Sequence, residues 1–136
     1  GEYSTAVRAF KKCVESGEPI RVFGSGKKER DFTHVYDVID GIMQLMTEKS
    51  KPQHVHLGSG NPRTVLEVAK AFDHPIVHEF DKRGEAEKTF CEKPFYKCEY
   101  DVVKYCKDWK EDFLQKKTVE GIKEIEEKYA KIDSGQ

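Results

Sequence analysis

The sequence predicts a small mixed α/β domain, and three observations carry that prediction. Apolar residues recur at helical spacing near both ends of the chain and twice between them. Short apolar runs at residues 20–23, 54–57 and 75–80 alternate with those helices, as strands do. The strands are too few for a self-sufficient doubly wound sheet, and 136 residues are one domain's worth of chain, 1–136.

The first helix is expected from Tyr3, Ala6, Val7, Phe10 and Val14, with Arg8, Lys11 and Lys12 opposite. Gly17 and Pro19 stop it. Ile20 to Phe23 reads as a strand, 24–28 as a Gly-Ser-Gly turn, and 31–35 as a second strand, together a hairpin with a long loop. Asp37 is placed to cap the next helix, which carries Val38, Ile39, Ile42, Leu45 and Met46 on one face. Residues 54–57 form a strand ending at Gly58-Ser59-Gly60. Thr64 and Glu67 then make a capping box for a helix that buries Val65, Val68, Ala69 and Phe72. Residues 75–80 give another strand and 81–100 a long loop. Residues 101–106 supply one or two helical turns before Trp109. A last helix runs from Thr118 through Val119, Ile122, Ile125, Tyr129 and Ile132, its Lys/Glu-rich remainder a solvated face.

Composition excludes several classes. Lys+Arg 24 against Asp+Glu 25 leaves a net charge of -1, so the strongly basic footprint of a nucleic-acid binder is missing. No apolar run approaches the ~20 residues that span a bilayer, and the first ten residues contain no signal-peptide core, so no membrane partner is expected. Cys13, Cys91, Cys98 and Cys106 include no CxxC pair and read as reduced thiols in a cytoplasmic protein. His54 and His56 share a strand face as two metal ligands would, but no third and fourth ligand stands at recognisable spacing, so no metal is expected. The chain opens without Met and directly into a helical pattern, as a piece of something longer would.

Four blocks in register carry more. Residues 17–40 read G-E-P-I-R-V-F-G-S-G-K-K-E-R-D-F-T-H-V-Y-D-V-I-D. His56-Leu57-Gly58-Ser59-Gly60-Asn61-Pro62 precedes Thr64-Val65-Leu66-Glu67-Val68-Ala69. Lys82-Arg83-Gly84-Glu85 follows, and Trp109-Lys110 with Thr118-Val119-Glu120-Gly121-Ile122 closes the series. Together they resemble the C-terminal, substrate-binding part of the extended short-chain dehydrogenases, the NAD-dependent nucleotide-sugar epimerases and dehydratases. The resemblance covers nearly the whole chain and implies that part of the fold without its N-terminal Rossmann half.

That resemblance implies a nucleotide-sugar partner, UDP-sugars favoured, and site residues for it. Arg30 would grip the diphosphate, since a guanidinium fork matches two phosphate oxygens where lysine offers a point charge. Arg21 and Phe23 would lie along the base, although Phe23 alone could equally be a core side chain. Lys82 or Arg83 would be a second phosphate cation and Glu85 would accept from the ribose hydroxyls. Lys82 departs from the family's usual arginine, and residues 91–97 read as an insertion. The family's Gly-x-x-Gly-x-x-Gly cofactor loop and its Tyr-x-x-x-Lys pair are not matched. Tyr100 and Lys104 fit the latter spacing only by chance, and Gly24-Ser25-Gly26 reads as a hairpin turn. No catalytic residue and no cofactor are therefore assigned to this chain alone, while NAD is implied for a complete enzyme. An N-terminal Rossmann half or a second copy would be the protein partner. The alternative function is a non-catalytic remnant that binds sugar nucleotides or proteins.

Overall fold

The computed structural model describes Tyr3 and residues 5–49, 54–80, 88–89 and 94–133. Helix α1 (Thr5–Ser16) forms where the apolar spacing predicts it and buries Val7, Phe10, Cys13 and Val14. Its end is a Schellman turn: the Gly17 amide donates to Val14 and the Glu18 amide to Cys13, with Gly17 at φ 76°. Strand β1 (Ile20–Phe23) follows and alternates, Ile20 and Val22 inward, Arg21 and Phe23 outward.

The expected hairpin does not form. β1 pairs in parallel with β4 (Ile76–Glu79), while the second strand is only β2 (Glu29–Arg30). β2 pairs antiparallel with β3 (Arg63–Thr64) and in parallel with β5 (Lys88–Thr89), a strand inside the stretch expected to be all loop. The cause lies in the turn. Its Gly26 carbonyl accepts from the Leu66 amide and its Lys28 carbonyl from the Val65 amide. A Cβ on Gly26 would stand 2.6 Å from Val22 and 3.0 Å from Leu66. The turn is thus pressed onto the start of the helix that opens at Val65 and cannot fold β2 back on β1. Phe32, just beyond, enters the core as a single anchor.

Helix α2 (Val35–Thr47) is capped by His34, whose Nδ1 accepts from the Tyr36 amide at 3.0 Å. Asp37, expected as the cap, sits inside the first turn. It is 1% exposed, and its carboxylate accepts from the Glu99 amide at 2.9 Å and the Tyr100 amide at 3.0 Å. The expected apolar face is left uncovered. Only Asp37 and Gly41 are buried in α2, whereas Ile39, Ile42, Met43 and Met46 are exposed. Residues 54–57 pair as no strand among the described residues, although the His56 carbonyl accepts from the Phe95 amide.

Helix α3 (Val65–Lys70) has the expected cap, Thr64 Oγ1 accepting from the Glu67 amide at 3.0 Å. Val68, Ala69 and Phe72 are buried with the α1 residues, Ile20, Val22, Val102 and Cys106 in one core. The two helical pieces expected at the end are one helix, α4 (Val102–Asp133). No proline or turn chemistry interrupts it, and Thr118 bonds back to the Leu114 carbonyl as an interior residue. Its first turns anchor it: Trp109 meets the Phe72 ring edge-on at 5.8 Å, and Lys110 donates to the Phe72 and Asp73 carbonyls that end α3. Beyond Phe113 its apolar residues, Leu114 to Ile132, are exposed. No helix among the described residues is long and apolar enough to cross a membrane.

Candidate functional site

Strand alternation decides where the first two site residues point. Because successive side chains leave opposite faces, burying Ile20 and Val22 turns Arg21 and Phe23 to the other side. Phe23 is 48% exposed, so it is not a core side chain. The parallel register sets Val77 beside Arg21 and Glu79 beside Phe23. The result is a strand face with an accessible aromatic ring, a cation and backbone groups on one side of the Gly24–Gly26 turn.

On the other side of that turn stands Arg30, part-buried on β2, its Nη1 donating to the Glu29 carbonyl at 2.8 Å. Directly across the ladder is Arg63. Its Nη2 donates to Asp101 at 3.1 Å, its Nη1 lies 3.7 Å from Glu67, and its enclosed Nε has no partner among the described residues. Glu67 therefore faces Arg63, and only the threonine half of the expected capping box is recorded. Lys82, Arg83 and Glu85 lie outside the described residues.

Asp31, next to Arg30, is fully engaged within the chain. It accepts from the Ser59 hydroxyl, from the Ser59 amide at 3.0 Å and from the Gly60 amide at 3.0 Å. The Gly58-Ser59-Gly60 turn is thus an anion site filled by the protein's own carboxylate, which pins β2 to that turn. Sequence reasoning missed this pairing because the partners are 28 and 29 residues apart. It also missed Arg63, whose only sequence signal is its place beside the helix cap.

A cleft of about 150 Å³ lies next to this turn, lined by Phe32, Ser59, Asn61, Cys98, Tyr100 and Asp101 among others. It is smaller than the ~300–1,000 Å³ of sites that enclose a small molecule, so it is at most one wall of such a site. One rim is rigid: Tyr100 stacks on buried His34 at 3.9 Å, and His34 meets Tyr3 edge-on at 5.1 Å. Burial, reinforced by Asp101 and Asp37, holds the Tyr3 phenol above its ordinary pKa. Burial likewise pushes the Cys106 thiol up to about 12 against the opposing pull of Lys11. Neither group ionises near neutrality. Cys13 and Cys106 are buried free thiols, and no group of three metal-binding side chains occurs among the described residues.

The glycine turn among the described residues does not form a dinucleotide cradle. A pyrophosphate cradle needs a glycine turn that leads from a strand into a helix N-terminus. The turn after β1 leads into β2, and its Gly26 carbonyl is already bonded to Leu66.

Residues 1–58 match the NAD dependent epimerase/dehydratase family. A putative GDP-L-fucose synthase 2 of Oryza sativa is 39% identical over 74 residues, 54% of this chain and 21% of that protein. A UDP-N-acetyl-alpha-D-glucosaminuronate decarboxylase of Bacillus cytotoxicus is 29% identical over 82 residues, 60% of this chain and 25% of that protein. The fold superposes on UDP-glucose 4-epimerase of Thermotoga maritima with a TM-score of 0.64 and 23% identity, over 83% of this chain and 40% of that one. It also superposes on UDP-glucuronic acid 4-epimerase of Bacillus cereus, with a TM-score of 0.60 and 18% identity. The fold is therefore a partial extended short-chain dehydrogenase fold. The chain resembles the NAD-dependent epimerases and dehydratases over residues 1–58, and it spans about two fifths of the length of those solved enzymes.

Proposed function

We propose that this chain is the nucleotide-sugar-binding portion of an NAD-dependent epimerase or dehydratase. The observation that carries the reading is the outward pair Arg21 and Phe23 on β1, followed across the Gly24–Gly26 turn by Arg30. A large aromatic side chain left 48% exposed on a strand has lost burial worth roughly 1–2 kcal/mol, which a stacked or edge-on nucleobase would restore. Arg30 then takes the diphosphate, and Lys82 or Arg83 with Glu85 complete the phosphate and ribose contacts. This chain's contribution is to bind and orient, which lowers a barrier when the geometry is held tightly. Bound NAD would supply the transient oxidation of the sugar from elsewhere in a complete enzyme.

Helix α2 supports the second component of this reading. Tyr36, Ile39, Ile42, Met43 and Met46 leave an apolar face uncovered, and a Rossmann half seated on it would bury them. The chain on its own is expected to bind sugar nucleotides without turning them over. A protein-interaction remnant would use the same α2 face and is distinguished by Arg30.

The test is a calorimetric titration of the purified chain with UDP-, GDP-, dTDP- and CDP-sugars and with NAD. One sugar nucleotide should bind, NAD should not, and Arg30→Ala should weaken binding roughly ten- to hundredfold, the value of a charge-assisted contact. Unchanged affinity in Arg30→Ala would refute the assignment.

A further inference from the structure

The β2–β3 ladder sets Arg30 directly opposite Arg63. Directly opposed residues of an antiparallel pair project from the same face with Cβ atoms about 4.5–5.5 Å apart, and like charges so placed destabilise the ladder. The same arrangement becomes favourable when one anion spans both guanidinium groups. Arg63 has the donors for it. Asp101 takes Nη2 at 3.1 Å and Nε is enclosed, but Glu67 is 3.7 Å from Nη1, beyond hydrogen-bond length, so Nη1 is the donor that can turn to an anion. Both carboxylates belong to part-exposed pairs, 38% for Asp101 and 50% for Glu67, and such pairs contribute little. Phosphate oxygens can therefore displace Glu67 at small cost. Asp101 meanwhile accepts from the Lys104 amide at 3.1 Å at the start of α4, so it fixes one edge of the guanidinium plane.

We infer that Arg63 is a second fixed cation beside Arg30, and that the two hold a diphosphate laid across the β2–β3 ladder. The nucleotide-sugar reading supplies the natural ligand, while the two-arginine anion site rests on the strand register. Arg63 then does from a rigid strand what Lys82 or Arg83 would do from residues 81–100.

The probe is inorganic pyrophosphate, titrated calorimetrically into the whole chain alongside the UDP-sugar and uridine. Arg63→Met and Arg30→Met should each weaken pyrophosphate binding at least tenfold and flatten its salt dependence, with uridine unaffected. Arg63→Lys should recover part of the loss. Asp101→Asn separates binding from scaffolding, because asparagine still caps α4 but gives up the ion pair. It should leave pyrophosphate affinity unchanged or tighter. If Arg63 merely ties β3 to α4, Asp101→Asn will mimic Arg63→Met, and the inference is overturned. Absence of pyrophosphate binding in the unsubstituted chain overturns it as well. UDP-sugar binding that is lost in Arg30→Ala but survives Arg63→Met overturns this inference alone. Pyrophosphate binding that needs both arginines, without any nucleotide binding, would sink the nucleotide-sugar reading instead.

Discussion

Helices α1 and α2 are nearly equal in length, 12 and 13 residues, and both carry apolar residues at helical spacing. Their fates differ. α1 lays Val7, Phe10, Cys13 and Val14 against β1 and α3, whereas α2 buries only Asp37 and Gly41 and leaves six large apolar side chains in the open. Helical periodicity dictates that a face exists and says nothing about what covers it. A face covered within the chain builds stability. A face left open adds little to it.

The largest effect should come from α1. Phe10→Ala removes a ring that meets Phe72 edge-on in the core and should cost about 3–4 kcal/mol in urea unfolding. Ile42→Ala on α2 should stay within about 0.5 kcal/mol, and equal losses at the two sites would erase the contrast. Next comes the tie that holds α2. Asp37→Ala strips the acceptor from the Glu99 and Tyr100 amides and should cost about 2–3 kcal/mol, while Asp37→Asn loses less because one amide keeps an acceptor. Gly17→Ala, at φ 76° with open space around it, should cost about 1 kcal/mol from backbone strain alone.

The last effect is a pH dependence at the α1–α4 contact. The Cys106 thiol is held near 12 when folded, against an ordinary value of 9. Above pH 9 the unfolded chain releases this proton and the folded chain does not, so stability falls as pH rises from 9 towards 12. Thermal melts between pH 8 and 11 should show that decline, and Cys106→Ala should flatten it. At pH 8 Cys106 should resist alkylation while Cys98, which is part-exposed, reacts.

What the sequence made legible was local. Gly17 stopping α1, the Ile20–Phe23 alternation and the Thr64 cap depend on neighbours a few residues away, and each formed as expected. The parallel β1–β4 pair joins residues more than 50 apart, so the Gly-Ser-Gly turn mimicked a hairpin. Asp37 likewise has its partners 62 and 63 residues downstream, where no cap statistic looks. In α4 the expected break ignored that nothing between Trp109 and Thr118 opposes a helix. The candidate site divides the same way. Period two sets Arg21 and Phe23 on one face, the burial of Ile20 and Val22 turns that face outward, and the motif picks out Arg30. Arg63 joins them only through strand register.

The most direct test of the central claim is amide hydrogen exchange in α1 and α2, measured on the chain alone and with an excess of the N-terminal cofactor half of a family relative. Protection of the α2 amides should rise at least tenfold on mixing, while those of α1, already covered within the chain, change little. An α2 that exchanges identically with and without that half, although the two are shown to associate, would contradict the assignment of its open face.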